Sequence, residues 1–274
     1  MDIIPSFWQQ RLIEHGNTGW ADPVIYAFDQ VERLALIKAA VIQEDRKFET
    51  ALDFGCGTGD FSRMLLQMGL TVCGYDPFVK PAIASRKFSY ADEIAGISIA
   101  NSTADLALSV TALDHILDEK LLFQALMAIR CSLSSSGVFY MLEYALDSEN
   151  DRSKFNAGNG YQSFRTLNQW KAALLPVGLR MTEVIPAPHP ILNPSDGYLA
   201  YARSTLVRIR RRFNRIPLAQ YWFDPMLGIL ARRLSQTYPV DLSSSSKSPL
   251  KLIRCLPMTS HLKIDPGEEC GKTI

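Results

Sequence analysis

No stretch of this chain constrains it more than Ala51–Phe61, ALDFGCGTGDF. A short apolar run carries Asp53 and is followed by Gly55, Gly57 and Gly59, so that an acid and three glycines fall at every second position. A strand running directly into such a turn brings backbone close to a bound molecule. Glycine has no Cβ and tolerates positive φ, and the helix that follows aims its free N–H groups at the ligand. The expectation is an α/β protein with a helix over Phe61–Met68 and a cofactor seated at the turn.

Spacing and the next acid narrow the cofactor. A nicotinamide fingerprint reads G-x-G-x-x-G, whereas this run is D-x-G-x-G-x-G. After a turn at Gly69 a second apolar run, LTVCGYD, ends in Asp76, with Pro77 behind it. A carboxylate one βα unit later suits a ribose, because its two oxygens accept from vicinal hydroxyls. Together these features resemble motif I and the following acid of the class I S-adenosylmethionine-dependent methyltransferases. Thr103–Asp114, TADLALSVTALD, resembles the family's motif IV, with a buried strand over Leu106–Val110 and a loop closed by His115. Leu121–Leu133 has helical spacing, Ser134–Gly137 reads as a turn, and VFYMLEYAL reads as a fifth strand ending near Glu143 and Tyr144. Thr166 is placed to cap LNQWKAALLPVGL, and LRMTEVI follows as another strand. The resemblance covers Phe48–Ile185.

It implies a Rossmann-like α/β fold, a mostly parallel seven-stranded sheet flanked by helices. The implied organisation is an N-terminal helical cap over 1–47, a methyltransferase domain over 48–257 with a helical insertion over 186–248 before the last strand, and a flexible tail over 258–274. By the same resemblance Asp53 orients the loop and the cofactor's amino group, while Gly55, Cys56, Gly57 and Gly59 shape the turn. Asp76 and Pro77 meet the ribose, Asp92, Glu93 and Ile94 the adenine, and Thr111 and Leu113 the methionine end. KFSYADEIAGIS, which contains the adenine candidates, has no clear third strand.

The implied reaction is in-line displacement at the sulfonium methyl of S-adenosylmethionine, in which the protein aligns the partners and excludes water. A hydroxyl acceptor also benefits from a base. His115, Glu143, Tyr144 and His189 are the candidates; His115 has the most suitable ordinary pKa and the best motif position, with a structural hydrogen-bonding role as its alternative. Histidines and acids show no metal-ligand spacing.

With 274 residues, 47% hydrophobic, the chain can bury one full core. A net charge of +1 carries no nucleic-acid signature. Neither a D/N-P-P-Y/F/W loop nor the Pro-Cys nucleophile of the cytosine enzymes follows the relevant strand. No apolar stretch is long enough to span a bilayer, and MDIIPSFWQQRL lacks the tripartite form of a signal peptide. Five cysteines without paired spacing fit reduced thiols in a cytoplasm.

Substrate choice falls to two regions outside the common core. Phe7–Ala40 holds Trp8, Trp20, Tyr26 and Phe28, and reads either as a packed cap or as a lid over the acceptor. Pro186–Ser248 separates two strands that should form a hairpin and contains YLAYARSTLVRIRRRF and FDPMLGILARRLSQ, both helix-prone; it is expected near the carboxyl ends of the strands. Arg203, Arg208, Arg210, Arg211, Arg212 and Arg215 form a solvated face, a grip on an anionic acceptor, or a contact with an anionic membrane surface. Trp20, Tyr26, Tyr144, Tyr221 and Trp222 are the aromatic candidates for acceptor binding. The expected activity is methyl transfer to a small-molecule or glycan acceptor, at oxygen by preference. The alternatives are an N-methyltransferase and a cofactor-binding protein without turnover.

Overall fold

The computed structural model describes residues 3–97, 103–156, 160–188, 198–213, 223–230, 233 and 248–258. The chain divides into two compact units, one made of Met1–Asp45 with Pro186–Pro249, the other of Arg46–Ile185 with Leu250–Ile274.

The second unit is built on β1 (Thr50–Phe54), β2 (Thr71–Tyr75), β3 (Phe88–Ala91), β4 (Ala104–Val110), β5 (Leu133–Leu146), β7 (Leu179–Pro186) and β8 (Leu250–Pro257), with a two-residue β6 (Arg165–Thr166) added to β5. Strand order is β3-β2-β1-β4-β5-β8-β7. The pairs β3–β2, β2–β1, β1–β4 and β4–β5 are parallel, and β8 runs antiparallel to β5. Against β7, β8 also runs in the opposite sense: Thr182 Oγ1 donates to the Arg254 carbonyl and Met258 N to the Gly178 carbonyl. This is the mostly parallel, Rossmann-like α/β sheet that the family resemblance implied. Strands covered on both faces are apolar throughout, which is why β1, β4 and β5 read as continuous hydrophobic runs.

Two segments depart from the sequence reading. Ser134–Gly137, expected as a turn, belongs to β5, where the register jumps from Ala104↔Leu133 to Leu106↔Val138. The serines bulge out of the ladder, and a Cβ on Gly137 would lie 2.9 Å from the Ala104 carbonyl oxygen. The third strand, which had no clear signal, is the short β3 at the sheet edge. No helix precedes it within residues 76–87; Pro77 and Pro81 fall in this crossover, and proline cannot continue a helical ladder.

α4 (Glu119–Ser132) and α6 (Leu167–Leu174) pack Leu122, Leu126, Ile129, Trp170 and Leu174 into one core with Leu52, Cys73, Ala107, Phe139, Met141 and Ile253 of the strands. Asp118 caps α4 through the N–H groups of Lys120 and Leu121. Thr166 caps α6 with a full capping box, its side chain accepting from Gln169 N while the Gln169 side chain accepts from Thr166 N. Fully buried Trp170 donates Nε1 to the Tyr144 carbonyl at 2.8 Å, which ties α6 to β5. In chain order α5 (Glu149–Asn156) follows β5 and precedes β6. On the other side of the glycine turn, α3 (Asp60–Gln67) buries Phe61, Met64 and Leu65.

The first unit is helical. α1 (Ile3–His15) precedes α2 (Pro23–Gln43), which starts with Asp22 as cap and Pro23 in its first turn. α7 (Tyr198–Phe213) and the helical residues 223–230 share an apolar cluster with α2, formed by Val24, Ala27, Phe28, Ala202, Leu206 and Leu227. Arg210 bridges Asp22 at 2.8 Å and Asp224 at 2.7 Å, joining three helices by charge-assisted bonds. The two ends of the inserted segment meet where Ser248 Oγ donates to the Ala187 carbonyl.

Removing the α6 cap isolates one local term. Thr166→Ala should lower unfolding stability by about 1 kcal/mol, and Thr166→Ser should retain most of it. Equilibrium urea unfolding of the two variants checks this; equal losses would mean that the methyl group of Thr166, not its hydroxyl, carries the effect.

Candidate functional site

β1 delivers Asp53 to the carboxyl end of the sheet, one strand away from the end of β2 where Asp76 sits. Between them the chain turns through Gly55, Gly57 and Gly59, all at positive φ (78°, 50° and 85°). Gly57 N donates to Asp76 Oδ2 at 3.0 Å, so the second glycine and the acid of the next strand are joined by one hydrogen bond. The other Asp76 oxygen accepts from Phe78 N and Val79 N, both at 2.9 Å.

The missing side chains of two glycines are used by the protein itself. A Cβ on Gly55 would stand 2.2 Å from the Ala112 Cβ, and one on Gly59 would stand 2.8 Å from the Pro81 Cβ and 2.7 Å from the Ile83 Cδ1. The turn is thus pressed between the loop after β4 and the crossover before β3.

Buried Asp53 accepts from Ser62 Oγ at 2.5 Å. Burial raises its carboxyl to about 7, an effect the Ser62 bond opposes and the neighbouring Asp76 charge reinforces. Burial likewise raises Asp76 against the pull of its three backbone N–H partners. The Cys56 thiol is pushed up by burial and then by the Asp53 and Asp76 charges, so it stays a thiol, without nucleophilic or metal-ligating character.

The loop after β4 is shaped by a carboxylate from β5. Fully buried Glu143 takes Ala112 N and Leu113 N at 3.1 Å on Oε1, Ser109 Oγ at 3.3 Å on the same oxygen, and Asp114 N at 3.3 Å on Oε2. Burial and then the adjacent Asp114 charge push the Glu143 carboxyl well above its ordinary range, against the pull of the backbone donors. Thr111 enters this loop at φ 45°, a conformation costly for a β-branched residue, while its N–H is held by the Leu142 carbonyl at 2.8 Å. His115 closes the loop. Its Nδ1 meets the Tyr161 carbonyl at 2.8 Å and must donate to it, which leaves Nε2 as the basic nitrogen, 3.6 Å from Asp114 Oδ1. Asp114 is fully buried and accepts from Gln162 Nε2 on its other oxygen at 3.1 Å.

The sequence candidates are therefore distributed unevenly. Asp53, Gly55, Cys56, Gly57, Gly59, Asp76 and Pro77 gather at one turn, and Thr111 and His115 lie on the loop whose Ala112 presses against Gly55. Leu113 is fully buried in the core, so only its backbone can face a ligand. Asp92 and Glu93 are exposed after β3, and Ile94 is half-buried in a short turn. Tyr144 is nearly buried, edge-on to Phe164 at 4.8 Å. In the first unit, Trp20 donates Nε1 to Asp29 at 2.7 Å and Tyr26 is packed against Gly19. Tyr221, Trp222 and His189 lie outside the described residues. Ser62, Asp114 and the anchoring role of Glu143 had no spacing signal; the one hint was a carboxylate inside the apolar strand YMLEYAL.

The arrangement fits S-adenosylmethionine by its donor set. The buried Asp53 carboxyl, raised to about 7, matches an ammonium once deprotonated, the Asp76 carboxylate matches a diol, and the positive-φ turn admits no side chain beside them. Among the described residues no cluster of His, Cys, Asp and Glu could hold a metal, and no helix is long and apolar enough to cross a membrane.

A family model described as a methyltransferase domain matches residues 26–184. Comparison with curated proteins finds no match. Among solved structures, a chain from the complex between the Haloferax volcanii Trm112 methyltransferase activator and a candidate methyltransferase aligns with 94% of this chain and 99% of its own length, at 14% identity and TM-score 0.55. Phosphoethanolamine N-methyltransferase 2 of Haemonchus contortus, bound to phosphomonomethylethanolamine and S-adenosylhomocysteine, aligns with 94% of this chain at 15% identity and TM-score 0.56; the alignment spans 61% of that enzyme. A Thermotoga maritima protein, a candidate histamine N-methyltransferase, aligns with 92% of this chain and 99% of its own, at 15% identity and TM-score 0.55.

The state of Asp53 has a measurable sign. With its carboxyl raised from 3.8 to about 7 in the folded protein, its contribution to stability is fully present below pH 3.8 and is lost as pH rises to about 7. The loss is on the order of 4 kcal/mol. Asp53→Asn should therefore be more stable than the parent at pH 8, with the gap closing toward pH 4, yet bind S-adenosylmethionine more weakly. Parent affinity should rise through pH 7 with proton release, seen by calorimetry in buffers of different ionisation enthalpy. Equal affinity in the Asn variant at pH 8 would remove Asp53 from ammonium binding.

Proposed function

On the premise that the chain belongs to the methyltransferase domain family, and is an S-adenosylmethionine-dependent methyltransferase, we propose that it methylates a hydroxyl of a small-molecule or glycan acceptor. S-adenosylmethionine supplies an activated methyl group on a good leaving group, so the protein's work is placement and exclusion of water. Asp53 takes the ammonium, Asp76 and the Pro77 turn the ribose, and Asp92, Glu93 and Ile94 the adenine. Cys56 and the three glycines form the floor, and Thr111 with the Leu113 backbone borders the methionine end.

The observation that carries the preference for oxygen is the orientation of His115. Its Nδ1–H is committed to the Tyr161 carbonyl, so Nε2 is the nitrogen able to accept a proton from an acceptor hydroxyl. The buried Asp114 carboxyl group 3.6 Å from Nε2 stabilises the ring when it carries that proton. Glu143 does not compete for this role, because its two carboxyl oxygens are engaged by Ser109 of β4 and by the N–H groups of Ala112, Leu113 and Asp114 in the loop after β4. Trp20, Tyr26, Tyr144, Tyr221 and Trp222 remain the aromatic candidates for holding a ring-bearing acceptor. The buried free thiols of Cys56, Cys73 and Cys255 support a reducing, cytoplasmic setting.

His115→Ala should lower turnover by about 10²–10⁴-fold with cofactor affinity nearly unchanged. A panel of hydroxyl and amine acceptors, assayed with methyl-labelled S-adenosylmethionine and mapped by mass spectrometry, tests the acceptor atom; a methyl group found only on nitrogen would end the oxygen reading, as would turnover within a few-fold of the parent. Asp76→Ala should weaken cofactor binding by about 1–3 kcal/mol through loss of charge-assisted ribose bonds. Calorimetry showing unchanged affinity would take the ribose away from Asp76.

A further inference from the structure

Residues 186–249 carry eight arginines and one lysine against three aspartates and no glutamate, in a chain whose net charge is +1. Positive charge is thus segregated into the inserted segment. Arg210 is neutralised internally by Asp22 and Asp224. Arg208, Arg211 and Arg212, at helical spacing on α7, are exposed, and no acid pairs with them among the described residues. The helix C-terminus favours cations and would account for arginines there on its own. It does not account for the neighbouring helix. Residues 223–230 bury Leu227 with Ala202 and Leu206, yet turn Met226, Ile229 and Leu230 to solvent at 52%, 58% and 41% exposure.

Single exposed apolar side chains are ordinary, but three at positions i, i+3 and i+4 form a stripe where a solvated helix carries polar groups. The stripe adjoins a helix bearing three unpaired guanidinium groups. Guanidinium forks match phosphate oxygens, and the adjacent apolar side chains match the boundary between headgroups and acyl chains. A protein partner could cover the apolar stripe alone. The excess of arginine over acid favours a phosphate-dense surface instead. We propose that these two packed helices, through the exposed arginines of α7 and the apolar stripe of residues 223–230, dock the enzyme peripherally on an anionic lipid bilayer.

The test uses the full chain and flotation with phosphatidylcholine vesicles made with and without phosphatidylglycerol. The expected result is binding only to the anionic vesicles, weakening as salt is raised. Replacing Arg208, Arg211 and Arg212 together by Gln should reduce partitioning roughly a hundredfold, whereas replacing them by Lys should retain most of it. Replacing Met226, Ile229 and Leu230 together by Ser should reduce it roughly tenfold or more. All six side chains are exposed, and circular dichroism melts verify that each variant is folded. Absence of parent binding to anionic vesicles overturns the proposal, and so does undiminished binding in either the Gln or the Ser variant. Retention on heparin without retention on vesicles would also overturn it, assigning the arginines to a different polyanion.

Discussion

The loop after β4 depends on one buried carboxyl group. Glu143 leaves β5 and receives three successive backbone N–H groups, those of Ala112, Leu113 and Asp114. Without that acceptor these donors would be buried unsatisfied, and each such group costs about 1–3 kcal/mol. With it, Thr111 is held at a positive φ, Ala112 is brought onto Gly55, and His115 is carried to the loop's end. A carboxyl group that burial pushes well above its ordinary range thus serves as the acceptor around which one conformation of the loop is built.

The sequence made the sheet legible because its signals are local. The apolar runs of β1, β2 and β4, the glycine turn, and the Thr166 cap each state their structure within a few residues. Where structure rests on distant partners the reading failed. Ser134–Gly137 has the composition of a turn, yet the chain stays in β5 and expels the serines as a bulge, an outcome decided by pairing with Ala104 some thirty residues away. β3 was obscure because an edge strand of four residues alternates polar and apolar side chains only weakly.

The site shows the same division. That Asp53, the glycines and Asp76 gather at one turn follows from strand ends in sequence order, and the Gly57–Asp76 bond realises it. The role of Glu143 could not be read, since a lone acid in an apolar strand announces burial but not its partner. His115 was legible by position, while its tautomer is set by the Tyr161 carbonyl, far along the chain. The first reason for glycine at 55 and 59 is likewise non-local: the protein's own Ala112, Pro81 and Ile83 occupy the room.

That clamping bears on how the turn responds to a ligand. Backbone that is already gripped from both sides has little freedom left to lose, so occupancy should draw small ordering entropy from the turn itself. The adaptable part of the protein then has to be found away from the glycines. A change of acceptor would then come from side chains outside the clamped turn, with the turn itself left as it is.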